Sequence, residues 1–161
     1  NRFKHYGIGS NQRFTNLQAS VGLAQLENIK KIIKKKFFIG NYYSKKLSLL
    51  ENKICLPIQK VNYCKNIYWV YAILIRDNCK YNADKVIKLL KNEGVECRPF
   101  FYPMHLQPIY KKMKIFDNRS YPISEKISMK GFYIPSGIGI TKKEQDIVIS
   151  KMIKVFNNNL K

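Results

Sequence analysis

Acidic residues are scarce in this chain. Ten Asp and Glu stand against 30 Lys and Arg in 161 residues, a formal net charge of +20 at pH 7. An excess of that size ordinarily raises nucleic acid or an anionic membrane surface as a partner. Arginine is scarcer still. Only five of the 30 cations are Arg, whereas bidentate recognition of phosphates and base edges favours the planar guanidinium. Lys, Asn and Ile together make up 61 residues, which fits the drift of an AT-rich genome better than a dedicated polyanion binder. The expectation is therefore no nucleic-acid partner, with a basic nucleic-acid-binding module as the competing class. That module would require its basic side chains to cluster on one face.

Cysteine is limited to Cys55, Cys64, Cys79 and Cys97, with no CxxC pair and no Cys/His group of zinc spacing. The four read as buried or half-buried free thiols of a reducing cytosol, and no metal is expected. No signal-peptide pattern is present and no apolar run is long enough to span a bilayer, so the expectation is a cytoplasmic protein without a membrane. The first residue is Asn1, not Met, which reads as a fragment.

What is present is a packable core. Hydrophobic residues make 45% of the chain, with 11 Tyr, nine Phe and one Trp, which excludes disorder and predicts one domain. The organising stretch is residues 9–27, GSNQRFTNLQASVGLAQLE. A polar turn leads to Thr15, with Gln18 three residues on, the capping-box spacing. Leu17, Val21, Ala24, Leu26 and Ile29 then recur at helical period. The spacing predicts one long helix over residues 15–51, bent at Gly40 and about 55 Å long at 1.5 Å per residue. A helix of that length needs a second surface for its first half. Its N-terminus, preceded by polar side chains, suits an anion such as phosphate, although an ordinary cap explains the same pattern. The run of residues 30–36, KKIIKKK, reads as a solvated face with Ile32 and Ile33 turned inward.

Beyond a connector holding Pro57, residues 67–75 (IYWVYAILI) are aromatic and β-branched and predict a strand. Trp69 reads as core. Asn82 caps a helix over residues 83–93, stopped by Gly94. A second strand over 95–101 carries Pro99 and so belongs at an edge. A helix opened by Pro122 and closed by Gly131, a strand over 132–135, and a last helix capped by Thr141 and Glu144 complete the chain. The alternation predicts an α/β fold with helices packed on a small sheet whose strand directions the pattern leaves open.

Four segments carry a resemblance. They are RFKHYGIGSNQRFTNLQASVGLAQLENI from Arg2, NIYWVYA from Asn66, RPFFYPMHLQPIY from Arg98 and GFYIPSGIGIT from Gly131. In order and without a gap in the first, they resemble the C-terminal part of the DegT–StrS type sugar-nucleotide aminotransferases, and within that family the wording is nearest to the GDP-perosamine synthase group. Ser10 and Gln12 stand where the family has Tyr, and Phe14 where it has Met.

The resemblance implies the small C-terminal domain of an aminotransferase of fold type I, preceded by a long connecting helix. Residues 1–14 would be the tail of the large domain, 15–51 the connecting helix and 52–161 the small α/β domain. It implies pyridoxal 5′-phosphate (PLP) as cofactor, glutamate as amino donor and a nucleotide-linked 4-keto-6-deoxy sugar as substrate. It also implies a homodimer with shared active sites, serving polysaccharide or O-antigen synthesis. The Lys that holds the cofactor would lie upstream, so no catalytic residue is expected here and the piece alone should be inactive. Asn11 and Arg13 fall on positions that contact the cofactor phosphate of the neighbouring subunit. His105, Arg98 and His5 are the substrate-side candidates. A sugar-nucleotide dehydratase on the same scaffold is the alternative, to be decided by the upstream residue.

Overall fold

The computed structural model describes residues 4–7, 9, 13–116 and 119–158. Asn16–Glu27 (α1) and Ile29–Leu47 (α2) run one after the other at the front of the chain. Short strands Ile54–Cys55 (β1), Lys60–Val61 (β2) and Cys64–Lys65 (β3) follow, then Tyr71–Ile75 (β4) and Ala83–Asn92 (α3). Arg98–Pro99 (β5), Pro108–Lys112 (α4), Pro122–Lys130 (α5), Gly131–Ile134 (β6) and Lys142–Asn158 (α6) complete the order.

The main sheet has the order β1-β4-β6-β5 and is antiparallel throughout. This settles the direction that the sequence pattern left open. The register pairs Tyr71 with Ile134 and Ile73 with Phe132, so their side chains share one face. Tyr71, Ile73 and Ile75 are buried on it while Ala72 and Leu74 are half-buried, the period-two pattern of a sheet covered by helices. Ile39, Tyr43 and Leu47 of α2, Val86 and Leu90 of α3, and Met152, Val155 and Phe156 of α6 close the core over that face. β2 and β3 form a separate hairpin within the expected connector.

The long helix differs from expectation. It breaks at Asn28, while α2 runs on through Gly40 without interruption. Asn28 leaves helical geometry (φ −95°, ψ 3°), and its Nδ2 donates to Ala24 O at 3.0 Å, so the side chain caps α1 from within the sequence. At Gly40 the Tyr68 ring lies directly on the helix, in the space a side chain would take. A Cβ there would stand 2.3 Å from that ring. The helix ends at Leu47 and passes into the single 3₁₀ turn Ser48–Leu50.

The strand expected over residues 67–75 begins only at Tyr71. Tyr68 has φ +54°, a left-handed conformation that is costly for a bulky residue. Asn66 Oδ1 accepts from Tyr68 N at 2.7 Å, and the buried Tyr68 ring stacks 6.0 Å from that of Tyr71. This reversal turns Trp69 out to 67% exposure, so the expectation of a core Trp is overturned. Lys36, read as part of a solvated face, is half-buried. Its Nζ donates to Trp69 O at 2.9 Å and Ser136 O at 2.7 Å, tying α2 to the chain just before β4 and just after β6. The strand expected over 95–101 pairs only through Arg98 and Pro99, at the sheet edge where a residue without an N–H is tolerated. Both capping boxes form. Thr15 Oγ1 accepts from Gln18 N and Thr141 Oγ1 from Glu144 N, each at 3.2 Å. Of the cysteines, Cys79 and Cys97 are buried and Cys55 half-buried, but Cys64 is exposed on the hairpin, against expectation.

Candidate functional site

Two stretches far apart in sequence are stitched together at the front of the domain. His5 N donates to Gln107 Oε1 at 3.0 Å, and Ile109 N donates back to His5 O at 3.2 Å. Gln107 is buried and its Nε2 reaches Tyr102 O at 3.4 Å, so one amide holds both the N-terminal stretch and the turn at Pro103. Lys4 Nζ lies 4.9 Å from the centroid of the Tyr102 ring, a cation–π contact that fixes the same edge. The result is a cleft of about 610 Å³. His5, Gly7 and Gly9 form one side; Tyr102, Met104 and Gln107 form the other, and Ser124 of α5 stands at its end. A concave site with apolar walls and a few convergent polar groups is the usual form of a small-molecule pocket.

The candidate residues are distributed unevenly around it. His5 lines the cleft and is exposed. His105 is 9% exposed and is not part of the cleft lining, with its Nε2 3.0 Å from Glu125 Oε1 and its ring 4.7 Å from that of Tyr121. Arg98 is exposed on the edge strand β5 and is not part of the cleft wall. Arg13 is exposed two residues before the N-cap of α1, and Asn11 lies outside the described residues. No group of three or more His, Cys, Asp or Glu able to hold a metal occurs among the described residues, and no helix is long and apolar enough to cross a membrane.

Glu125 is the centre of charge beside the cleft. Its Oε1 accepts from Tyr121 N at 2.9 Å, from His105 Nε2 and, at 3.3 Å, from Ser120 Oγ. Those donors, the Tyr121 amide first and His105 next, hold its carboxyl below the ordinary value of 4.5. An ionised carboxylate only accepts, so Nε2 of His105 carries the proton of this bond. Gln107, Tyr102, Lys4 and Glu125 received no role from the sequence. Gln107 and Tyr102 stand inside the segment RPFFYPMHLQPIY, so the signal was there for those two. For Glu125 the only signal was an acid in the first turn of a helix opened by Pro122.

The profile of the DegT/DnrJ/EryC1/StrS aminotransferase family matches residues 1–153, which includes every element that builds the cleft. The chain belongs to that family. It is similar to the GDP-perosamine synthase of Caulobacter vibrioides, 32% identical over 148 residues that make 92% of this chain and 39% of the relative. It is similar to the GDP-perosamine synthase of Vibrio cholerae at 31% over 156 residues, 97% of this chain and 41% of the relative. This family chain thus spans about two-fifths of the length of those relatives. Among solved structures, an aminotransferase from Psychrobacter cryohalolentis superposes with a TM-score of 0.81 at 17% identity, covering 96% of this chain and 42% of that one. The fold expected from the resemblance, a small sheet with packed helices from an aminotransferase, is the fold observed.

Proposed function

We propose that this chain is the C-terminal part of a PLP-dependent aminotransferase that moves an amino group from glutamate to a nucleotide-linked 4-keto-6-deoxy sugar. The observation that carries the reading is the cleft itself. It forms where residues 4–9 are bonded onto residues 102–110, two segments of the stretch matched by the family profile. The relatives at 31–32% identity are GDP-perosamine synthases, and they suggest the sugar class.

The residues present fit one end of the cofactor. Arg13 is exposed just ahead of α1, a 12-residue helix with no acidic side chain in its first turn. That corner offers a guanidinium and a helix N-terminus, the donor set that suits a phosphate. When bound, PLP supplies the electron sink for amino transfer, and the protein supplies orientation. In this reading Arg13, with Asn11 beside it, holds the phosphate belonging to a neighbouring subunit, which makes the working unit a dimer. Tyr102, Met104 and His5 shape the sugar's side of the cleft. Arg98 and His105 remain substrate-side candidates, with His105 acting through the wall it anchors. A cytoplasmic step in surface-polysaccharide synthesis is the setting that accords with these assignments.

The test uses the full-length protein. Arg13→Ala and Asn11→Ala should each speed PLP loss on dilution by about tenfold, since each removes one donor from a partly buried anion. PLP retention equal to wild type in both would remove the phosphate assignment.

A further inference from the structure

Between the cleft and a second, more apolar groove stands a single side-chain junction. The second groove, about 680 Å³, is walled by Phe100, Tyr121 and Ile127. Phe101 and Ser124 border both grooves. Ser124 is the residue before Glu125, and Met104 and Gln107 of the cleft wall flank His105. The bond between His105 and Glu125 therefore joins two elements that each supply a residue to the cleft lining: the turn Met104–Leu106 and the start of α5.

Three features make this junction a built one. The His105 ring is 9% exposed, so the turn carrying it is seated by that ring, which packs against Tyr121 at 4.7 Å and edge-on to Phe116 at 6.5 Å. Glu125 Oε1 gathers three donors from three residues, Tyr121 N, His105 Nε2 and Ser120 Oγ, and so fixes the entry to α5 as well as the ring. Because that oxygen can only accept, the bond holds a proton on Nε2 of the His105 ring.

We propose that Glu125 is the positioning residue of the cleft: by binding His105 Nε2 and the first turn of α5 through one oxygen, it sets the wall that Met104, Gln107 and Ser124 present to the nucleotide sugar. The proposal rests on the sugar-nucleotide reading for its ligand but not for its geometry. Glu125 touches no reacting atom; it acts through His105.

The experiment compares full-length wild type, Glu125→Ala and Glu125→Gln. Glu125→Gln keeps an acceptor oxygen for both N–H donors, whereas Glu125→Ala keeps none. Histidine-selective ¹⁵N NMR reads the His105 tautomer, assigned by the signal missing in His105→Gln. Steady-state kinetics reads the KM for the nucleotide sugar, and single-turnover kinetics the reaction with glutamate. Wild type and Glu125→Gln should both show the Nε2–H tautomer and similar KM. Glu125→Ala should lose the fixed tautomer and raise the sugar KM about tenfold or more, the size of a lost charge-assisted hydrogen bond, with the glutamate reaction unchanged. If Glu125→Ala retains the Nε2–H signature and the wild-type KM, the proposal is overturned. If Glu125→Ala does not fold, Glu125→Gln decides: loss of the Nε2–H signature there overturns it equally. A full-length protein that forms no amino sugar, yet shows the tautomer change in Glu125→Ala, would sink the functional reading and leave the junction standing.

Discussion

α1 and the second half of α2 are two stretches of helix, separated by the first half of α2, with opposite fates. Both carry many apolar side chains, but only those of α2 gather on one face. In α2, Ile39, Gly40, Tyr43, Ser44 and Leu47 are buried, with Tyr43 and Ser44 on Tyr71 of β4 and the helix packed against α6. In α1 no residue is buried, and Leu17, Val21, Leu23 and Leu26 are 58–76% exposed. Periodicity announces that a face wants a partner; it does not say where the partner is. For α2 the partner is in this chain. For α1 the surface it was expected to need is not among the described elements, and its apolar side chains are spread around the helix instead of forming the one stripe expected; so many exposed together seldom stay in water on a stable monomer.

The comparison breaks most visibly with leucines. Leu47→Ala should cost about 2–5 kcal/mol of stability, the usual cost of emptying a buried leucine site. Leu23→Ala in α1 should change the denaturant midpoint of this 161-residue chain by no more than about 0.5 kcal/mol, as for other exposed positions. Equal losses would mean that α1 is part of the folding unit after all.

Glycines sharpen it next. Gly40→Ala drives a methyl to 2.3 Å from the Tyr68 ring, so the ring or the helix must shift, at a cost of about 1–3 kcal/mol in a thermal melt. Gly22→Ala meets nothing within 4 Å and should instead favour the helix by up to about 1 kcal/mol, seen as more helical circular dichroism.

The two capping boxes give a smaller contrast with identical chemistry. Thr141→Ala, at the start of α6, should lower global stability by about 1 kcal/mol. Thr15→Ala should fray α1 alone, raising its amide exchange without moving the global midpoint.

Near neutrality the smallest effect is a titration. Burial raises the Tyr43 and Tyr71 phenols well above their ordinary 10.0, even though Gln145 and Ser44 pull the other way. A group whose folded pKa is raised contributes its stability in full below the unfolded value and loses it as pH rises. The contribution of these two tyrosines should therefore be constant up to about pH 10 and fall above it. Tyr71→Phe should shrink that fall, and an unchanged alkaline limb would assign it elsewhere.

Much of the skeleton was legible in the sequence. The caps at Thr15 and Thr141, the stop at Gly94 and the Pro122–Gly131 helix all depend on local chemistry that neighbouring residues state, and α3 starts at Asn82 as expected although the Asn82 side chain makes no cap bond. Asn28 was not legible, because an Asn that bonds back to Ala24 O looks like any other mid-helix Asn. Tyr68 was not legible either. IYWVYAILI has strand composition throughout, and only the Gly40 surface beneath the Tyr68 ring explains the reversal that turns Trp69 outward. The site divides in the same way. His5 and the RPFFYPMHLQPIY segment could be named from their wording, but the Gln107 bond joining them spans 102 residues. Glu125 became visible only when α5 brought it against His105.

The most direct measurement of the central claim is a product assay on the full-length protein loaded with PLP. Glutamate and a nucleotide-linked 4-keto-6-deoxy sugar are supplied together and the sugar pool is read by mass spectrometry. The account predicts an amino sugar on the nucleotide, formed in step with 2-oxoglutarate. Bound PLP and glutamate turnover with the keto sugar left unaminated would contradict it.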